Sequence, residues 1–476
     1  MKKIAAEGGT ALPICDLPGA SSATWNQDTI VAGNMRHDLP SNVISVRSGA
    51  VSPWKLLLWP KFLPDGKHLL YVRADPKIGA YRAHVAEMST GRETALMLTD
   101  TQVIFVPDQV KGGSQGYLLF GRNSTLLALR FDADRLQMAG EPVPVAKEVP
   151  FFEASAWSEF EASADGVLIY STGSQRAQLT WFDRSGRESG TVDDPRDFAA
   201  DSRVSPDGKK LAATVLDFST GGGDIWVYDL SQGTAERVTF GPPSGAPISG
   251  AAVWSPDGTR IAFFIAKAGV APQLRMKGVS ERGGGEQFPP GPFQMPSDWS
   301  SDDRWIFFTT SAGVGNGEIW LASVKDRKIM PLLQTPFDSA SPILSWDREY
   351  LAFSANDTGR YEIYVQHFQG GGSPKLVGER RRVSHNGGNL PRWRRDGKEL
   401  FFISPDRQIM AVAVKPGIET DFGPPTALFR LPTYLSAAGI GGYEVSHDGQ
   451  KFLAPIPKGA SPSLQVVINW QAGLKE

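Results

Sequence analysis

The sequence predicts an all-β fold, a β-propeller of four-stranded antiparallel blades, and three observations predict it. A turn of the Ser-Pro-Asp-Gly type recurs along the chain, and a short apolar run follows each copy. Glycine (51) and proline (35) together make up about 18 % of the 476 residues, against a usual share of roughly 12 %. Both residues punctuate turns, so the excess implies many turns between short elements.

The clearest turns are Val204-Ser205-Pro206-Asp207-Gly208, Trp254-Ser255-Pro256-Asp257-Gly258, Trp393-Arg394-Arg395-Asp396-Gly397 and Val445-Ser446-His447-Asp448-Gly449. Leu211-Ala212-Ala213, Ile261-Ala262-Phe263-Phe264, Leu400-Phe401-Phe402-Ile403 and Phe452-Leu453 follow them. Weaker copies centre on Asp28, Asp65, Asp165, Asp302 and Asp347. Successive turn aspartates lie 37 to 52 residues apart, except for one interval of 100 between Asp65 and Asp165. That gap hides a degenerate unit, assigned to Val103–Val106 and Tyr117–Phe120.

In this motif an apolar or aromatic residue ends one strand. Proline presets φ, aspartate bonds the backbone two residues on, and glycine supplies a positive φ that completes the hairpin. Third strands are expected at Asp224–Leu230, Glu318–Leu321 and Tyr361–Val365, and a fourth at Thr234–Thr239. Four strands per ~45 residues is a propeller blade. A β-sandwich also repeats strands, but it has no reason to repeat one turn sequence at one spacing.

The bulk numbers bound the function. Lys plus Arg total 49 and Asp plus Glu 51, a net charge of −2, which gives no general attraction to nucleic acid or anionic membrane. The run Glu379-Arg380-Arg381-Arg382 reads first as a solvated loop. Cys15 is the single cysteine, so no intrachain disulfide forms, and it reads as a small buried hydrophobe. Met1-Lys2-Lys3 starts like a signal peptide, but no apolar core follows. No stretch approaches the ~20 apolar residues of a membrane span.

The recurrent Trp-Ser-Pro-Asp-Gly turn resembles that of TolB-like, PD40 (WD40-like) propellers, over nearly the whole chain. The stretches Leu179–Gly186, Gly359–Gln366, Pro391–Phe402 and Val467–Trp470 are similar to the C-terminal sensor region of certain bacterial serine/threonine protein kinases. In that family the propeller lies outside the cytoplasm, after a kinase and a membrane helix. The resemblance thus implies a kinase-associated, extracytoplasmic (periplasmic) sensor. Neither a kinase Gly-rich loop nor a His-Arg-Asp loop is present in this sequence, so kinase activity does not carry over.

Several motifs tempt. Asp421-Phe422-Gly423 spells the kinase magnesium triplet but lacks a catalytic loop upstream. Gly112-Gly113-Ser114-Gln115-Gly116 matches a nucleophile elbow, yet a strand rather than a helix follows the serine. Gly313-Val314-Gly315-Asn316-Gly317 also precedes a strand, so it reads as a hairpin turn rather than a dinucleotide loop. His37, His68, His84, His367, His385 and His447 include no i, i+4 pair. Trp25, Trp254, Trp299 and Trp393 read as packing between neighbouring blades.

The expected organisation is an incomplete propeller module over 1–150, comprising a half blade at 3–16 and about three blades. A seven-bladed C-terminal ring is expected over 151–476, with Leu464–Trp470 as the third strand of the last blade. The rival arrangement is one oversized ring. The expected function is non-catalytic binding or sensing of a protein, peptide or glycan ligand at a propeller face. No catalytic, cofactor or metal residues are assigned, no cofactor is expected, and the binding residues are left unknown. A propeller hydrolase or lyase, or the propeller part of a prolyl-oligopeptidase-like peptidase, is the alternative.

Overall fold

The computed structural model describes residues 2–3, 12–15, 21–33, 40–75, 77–110, 113–173, 176–241, 247–268, 270–310, 317–415, 420–432, 442–458 and 463–474. Strands dominate it, and the only helices among these residues are two short 3-10 turns. The expected half blade at 3–16 falls partly outside the described residues; Lys2–Lys3 pairs antiparallel with Leu12–Pro13.

Six blades form a closed ring, five of four strands and blade VI with two short strands, Asp421–Phe422 and Thr426–Arg430, sharing its outer edge. Blade I joins Glu444–Val445 and Lys451–Pro457, as its inner strands, to Ala177–Asp183 and Glu188–Arg196. Blades II to VI run in chain order, and their innermost strands are Phe198–Val204, Ile248–Trp254, Met295–Trp299, Ser339–Leu344 and Asn389–Trp393. Blades II and III are bridged by a single parallel pair, Gly223 with Ile248. Neighbouring innermost strands touch all the way round, including that of blade I against those of blades II and VI.

What holds the ring is the packing of blade faces. Separate buried apolar clusters fill each of the six gaps between blades. Leu179, Leu211 and Leu453 join I to II, and Ala212, Ile225 and Phe263 join II to III. Ala262, Trp299 and Phe308 join III to IV, and Phe307, Leu351 and Phe353 join IV to V. Val365, Leu400 and Val412 join V to VI, and Phe401, Phe429 and Phe452 join VI to I. Strands buried on both faces explain why the second strand of each unit is a continuous apolar run such as Trp305–Thr309.

Every predicted turn links the first two strands of a sheet. Its local chemistry repeats. Ser205, Ser255, Ser300, Ser345 and Ser446 each donate to the aspartate two residues on, at 2.5–2.7 Å. The glycine position has φ near +70° in Gly208, Gly258, Gly397 and Gly449. The degenerate copies keep that backbone with Asp303 (61°) and Arg348 (67°), at a cost of order 1 kcal/mol each. Serine bonding holds the carboxyls of Asp207, Asp257 and Asp448 below their ordinary range.

Four larger sheets, besides the short pairs Lys2–Lys3/Leu12–Pro13 and Phe151–Phe152/Trp157–Ser158, precede and flank the ring among the described residues. Sheet a runs Ser22–Trp25, Thr29–Gly33, Asn42–Ser45, Val51–Pro53, and sheet b runs Leu58–Phe62, His68–Asp75, Ala80–Glu87, Glu93–Thr99. Sheet c is the degenerate unit, Val103–Pro107, Gln115–Arg122, Thr125–Asp132, Gln137–Ala146. Sheet d has three strands, Phe160–Ala162, Val167–Thr172 and Ser463–Ile468. Apolar clusters join a to b, b to c and c to d.

Two expectations are corrected here. The ring has six blades rather than seven, because the Asp165 turn builds sheet d. The segment around Leu464–Trp470 is not the third strand of the last blade; Ala177–Asp183 occupies that place, and Ser463–Ile468 pairs with Val167–Thr172. A turn sequence specifies a hairpin, but which sheet that hairpin joins is set by contacts distant in the chain. Among the described residues no helix is long and apolar enough to cross a membrane.

Candidate functional site at the axis of the ring

Six innermost strands converge on one axis, so whatever they project inward shares a small volume. Blade II supplies Arg203, blade IV Asp298, blade VI Arg392 and blade I Glu444. A register shift bulges the innermost strand of each blade from II to VI, which re-aims side chains at this point. Glu444 accepts from Arg203 Nη1 at 3.4 Å, and Arg392 Nε lies 3.8 Å from the same carboxylate oxygen. Arg203 Nη2 also donates to the Ser297 carbonyl, Arg392 Nη1 to the Pro391 carbonyl, and Asp298 Oδ2 accepts the Leu344 amide at 2.7 Å.

Burial dominates the electrostatics. It pushes the Asp298 carboxyl up to about 6, against the pull of its amide bonds and of Arg203 and Arg392. It also brings the Arg392 guanidinium down to about 10, with Arg203 acting in the same direction. The pH consequence follows from the sign. A carboxyl whose folded pKa exceeds its unfolded value favours the protonated state, so its stabilising contribution is complete below pH ~4 and is lost as pH rises towards 6. Asp298→Asn keeps an oxygen for the Leu344 amide. Its unfolding free energy relative to wild type is expected to match near pH 4 and to gain on the order of 2–3 kcal/mol by pH 7. Urea titrations at both pH values measure this.

Above the buried charges lies the mouth, formed by the variable residue of each Ser-x-Asp-Gly turn. Going round the ring these are His447, Pro206, Pro256, Ser301, Trp346 and Arg395. Arg395 spans the opening. Its guanidinium stacks 4.1 Å from the centre of the Trp346 ring, lies 3.3 Å from His447 Nδ1 and donates to the Pro206 carbonyl. Burial, and then Arg395, hold the His447 imidazole below its usual range. Trp346 remains 42 % exposed. A cavity of about 150 Å³ lies on the axis, lined among others by Arg203, Trp254, Asp298, Trp346, Arg395 and Glu444.

Charge pairing separates these arginines. Arg394 is committed to Glu399 and Asp396, and Arg203 to Glu444. Arg395 forms no ion pair with a carboxylate among the described residues. Arginine on an aromatic face at a wet rim suits recognition of a planar anion such as a carboxylate.

Among the described residues, those singled out from the sequence take separate places in the fold. Asp421–Phe422 is a short strand against Val414–Lys415, with Phe422 on Trp393 and Tyr350. Residue 112 of the elbow-like motif and residues 313–316 of the Gly-rich turn lie outside the described residues, as does His37. His68 bonds Asp65, His84 stacks on Tyr71, His367 packs on Tyr350, and the His385 carbonyl accepts from Arg360. Trp254 and Trp393 link blades as expected, donating to the Arg203 and Ile343 carbonyls. Trp299 also packs between blades III and IV and bonds Asp303 of its own turn, whereas Trp25 is 70 % exposed. Sequence reasoning missed Arg203, Asp298, Arg392, Arg395 and Glu444 as a group. The recurrent turn did contain the signal, since its variable position is the mouth.

Repeated Ser-x-Asp-Gly hairpins, four-stranded antiparallel blades and a ring closed by both ends of its segment define the class: the chain is a β-propeller, and its recurrent turn resembles that of TolB-like, PD40 propellers. No protein-family model matches the sequence, and no curated protein matches it. Among solved structures, the chain is similar to TolB from Agrobacterium tumefaciens, with 18 % identity over 60 % of this chain and 100 % of that one, TM-score 0.45. TolB from Acinetobacter baumannii is similar at 14 % identity over 84 % and 82 %, TM-score 0.35. The β-propeller domain of the trilobed protease from Pyrococcus furiosus is similar at 11 % over 78 % and 99 %, TM-score 0.26. The fold assignment itself rests on the sheets and the ring.

Proposed function

We propose that the chain is a non-catalytic binding module whose ring mouth takes an acidic side chain or terminal carboxylate of a protein or peptide ligand. One observation carries this reading: Arg395, with no carboxylate partner among the described residues, lies on the half-exposed ring of Trp346 over the axial cavity. A volume of about 150 Å³ suits one side chain, whereas small-molecule sites run from roughly 300 Å³ upward. Among the protein, peptide and glycan ligands a propeller face can serve, the cation favours an acidic peptide. The sequence resemblance to kinase-associated sensor regions supports a sensing role outside the cytoplasm. The sheets before about residue 150 are read as an incomplete second propeller module.

The test is a panel of acidic, neutral and basic peptides and of neutral glycans, titrated by fluorescence anisotropy against wild type, Arg395→Ala and Trp346→Ala. Acidic peptides are expected to bind, with affinity falling about tenfold or more on removal of Arg395. Binding that is indifferent to peptide charge and to both substitutions overturns the reading.

A further inference from the structure

Sheet d differs from the blades around it in having three strands, so that its third strand forms the outer edge. Its outermost strand, Ser463–Ile468, pairs with Val167–Thr172 on one side, and no strand among the described residues pairs with the other. The direction of the free groups follows from the ladder. Ser163 donates to the Val167 carbonyl and Ser171 to the Glu159 carbonyl, so Val167, Ile169 and Ser171 face the first strand. Their partners Ile468, Val466 and Leu464 therefore point their backbone N–H and C=O groups outward, because bonding direction alternates along an antiparallel pair. The Asn469 amide donating inward to Gly166 agrees with this parity.

The side chains of the same three residues are also uncovered. Leu464, Val466 and Ile468 are 65 %, 57 % and 78 % exposed, and Ile169, opposite Val466, is 38 % exposed. The other face of sheet d is packed on sheet c. Stable proteins protect such an edge with lysine, proline or a bulge. Ser463–Ile468 carries no charge and no proline, and its pairing register is unbroken.

We propose that this edge pairs with the same edge of a second copy of the chain, forming a two-fold symmetric dimer through a continuous six-stranded sheet. The strand is self-complementary about Val466. An antiparallel copy places Val466 opposite Val466 and Leu464 opposite Ile468, so aliphatic side chains meet on one face. The outward amides and carbonyls of all three residues are satisfied in the same register. Uncharged strands also meet without the like-charge repulsion that a charged edge imposes on its own copy. A two-fold contact of this kind is closed, so association stops at the dimer. The patch offers roughly 300 Å² per copy, less than the ~800 Å² per partner of a standard interface, so the dimer is expected to be concentration-dependent.

Sedimentation velocity of the full chain from about 1 to 300 µM is the test. Wild type is expected to pass from monomer to dimer. Val466→Lys sets two like charges at the dyad and is expected to raise the dissociation constant at least tenfold. Val466 is solvent-facing, so the circular-dichroism spectrum and thermal midpoint of this variant should stay near wild type. The double variant L464K/I468E is expected to dimerise at low salt and to dissociate at high salt, since the new ammonium of each copy meets the new carboxylate of the other across the dyad. A monomer throughout, a mass that grows beyond dimer, or a dimer unaffected by Val466→Lys overturns the proposal.

Discussion

A chain ending at Leu431 is expected to lose cooperative folding of the ring. It lacks Glu444–Val445 and Lys451–Pro457, the two inner strands of blade I, and leaves Ala177–Asp183 without its inner partner. The cut removes Tyr443, Val445, Phe452, Leu453, Ala454 and Ile456 from the clusters joining blade VI to I and I to II. At about 1.5–3 kcal/mol for each large buried side chain, the loss reaches the whole stability of an ordinary domain, about 5–15 kcal/mol. The expected product is insoluble, or soluble with no sigmoidal urea transition. A chain ending at Pro457 is the control. It loses the third strand of sheet d but keeps blade I whole, so the main transition of the ring should persist. A cooperative transition in the shorter chain, unchanged in midpoint, would contradict closure by the C-terminal strands.

Arg392→Met is expected to lower the unfolding free energy by about 3–5 kcal/mol, the usual cost of removing one partner from a buried charge pair. Arg392 is 4 % exposed and its partner Glu444 11 % at the side chain. After the change Glu444 keeps the 3.4 Å contact to Arg203 as its one remaining cation partner among the described residues, and Asp298 loses one of two cations that draw its pKa down. Adding Glu444→Gln should cost less in this background than in wild type, because the Arg392 contact is already gone, whereas Arg203 loses its carboxylate in both. Guanidinium titrations of wild type, both single variants and the double variant give the coupling energy. Additive effects of the two changes would mean that they do not sense each other across the axis.

Much of this fold was legible because each blade carries its own local signal. Asp207, Asp257 and Asp448 sit in turns whose geometry is complete within about six residues, from the serine bond to the positive φ of the glycine. Even the weak unit at Val103 was found, since Val106 does pair with Tyr117. The third strands at Gly222–Asp229 and Glu362–Gln369 fell where the alternation placed them. The site was less legible. Arg203, Asp298, Arg392 and Glu444 are spread over more than 240 positions, and each reads as an ordinary charge beside a strand. Only a ring brings Arg203 and Arg392 within 4 Å of Glu444 and close enough to Asp298 to act on its charge.

The sequence by itself determined the repeating hairpin, its period and the all-β class. These depend on φ preferences, turn hydrogen bonds and apolar runs that a short segment contains. Tertiary structure alone decided the number of blades, the use of Lys451–Pro457 to close blade I, the transfer of Ser463–Ile468 to sheet d, and the charge cluster on the axis. The physical reason is that strand partnership across nearly 300 residues is set by which blade faces can bury each other, and no local pattern encodes that choice.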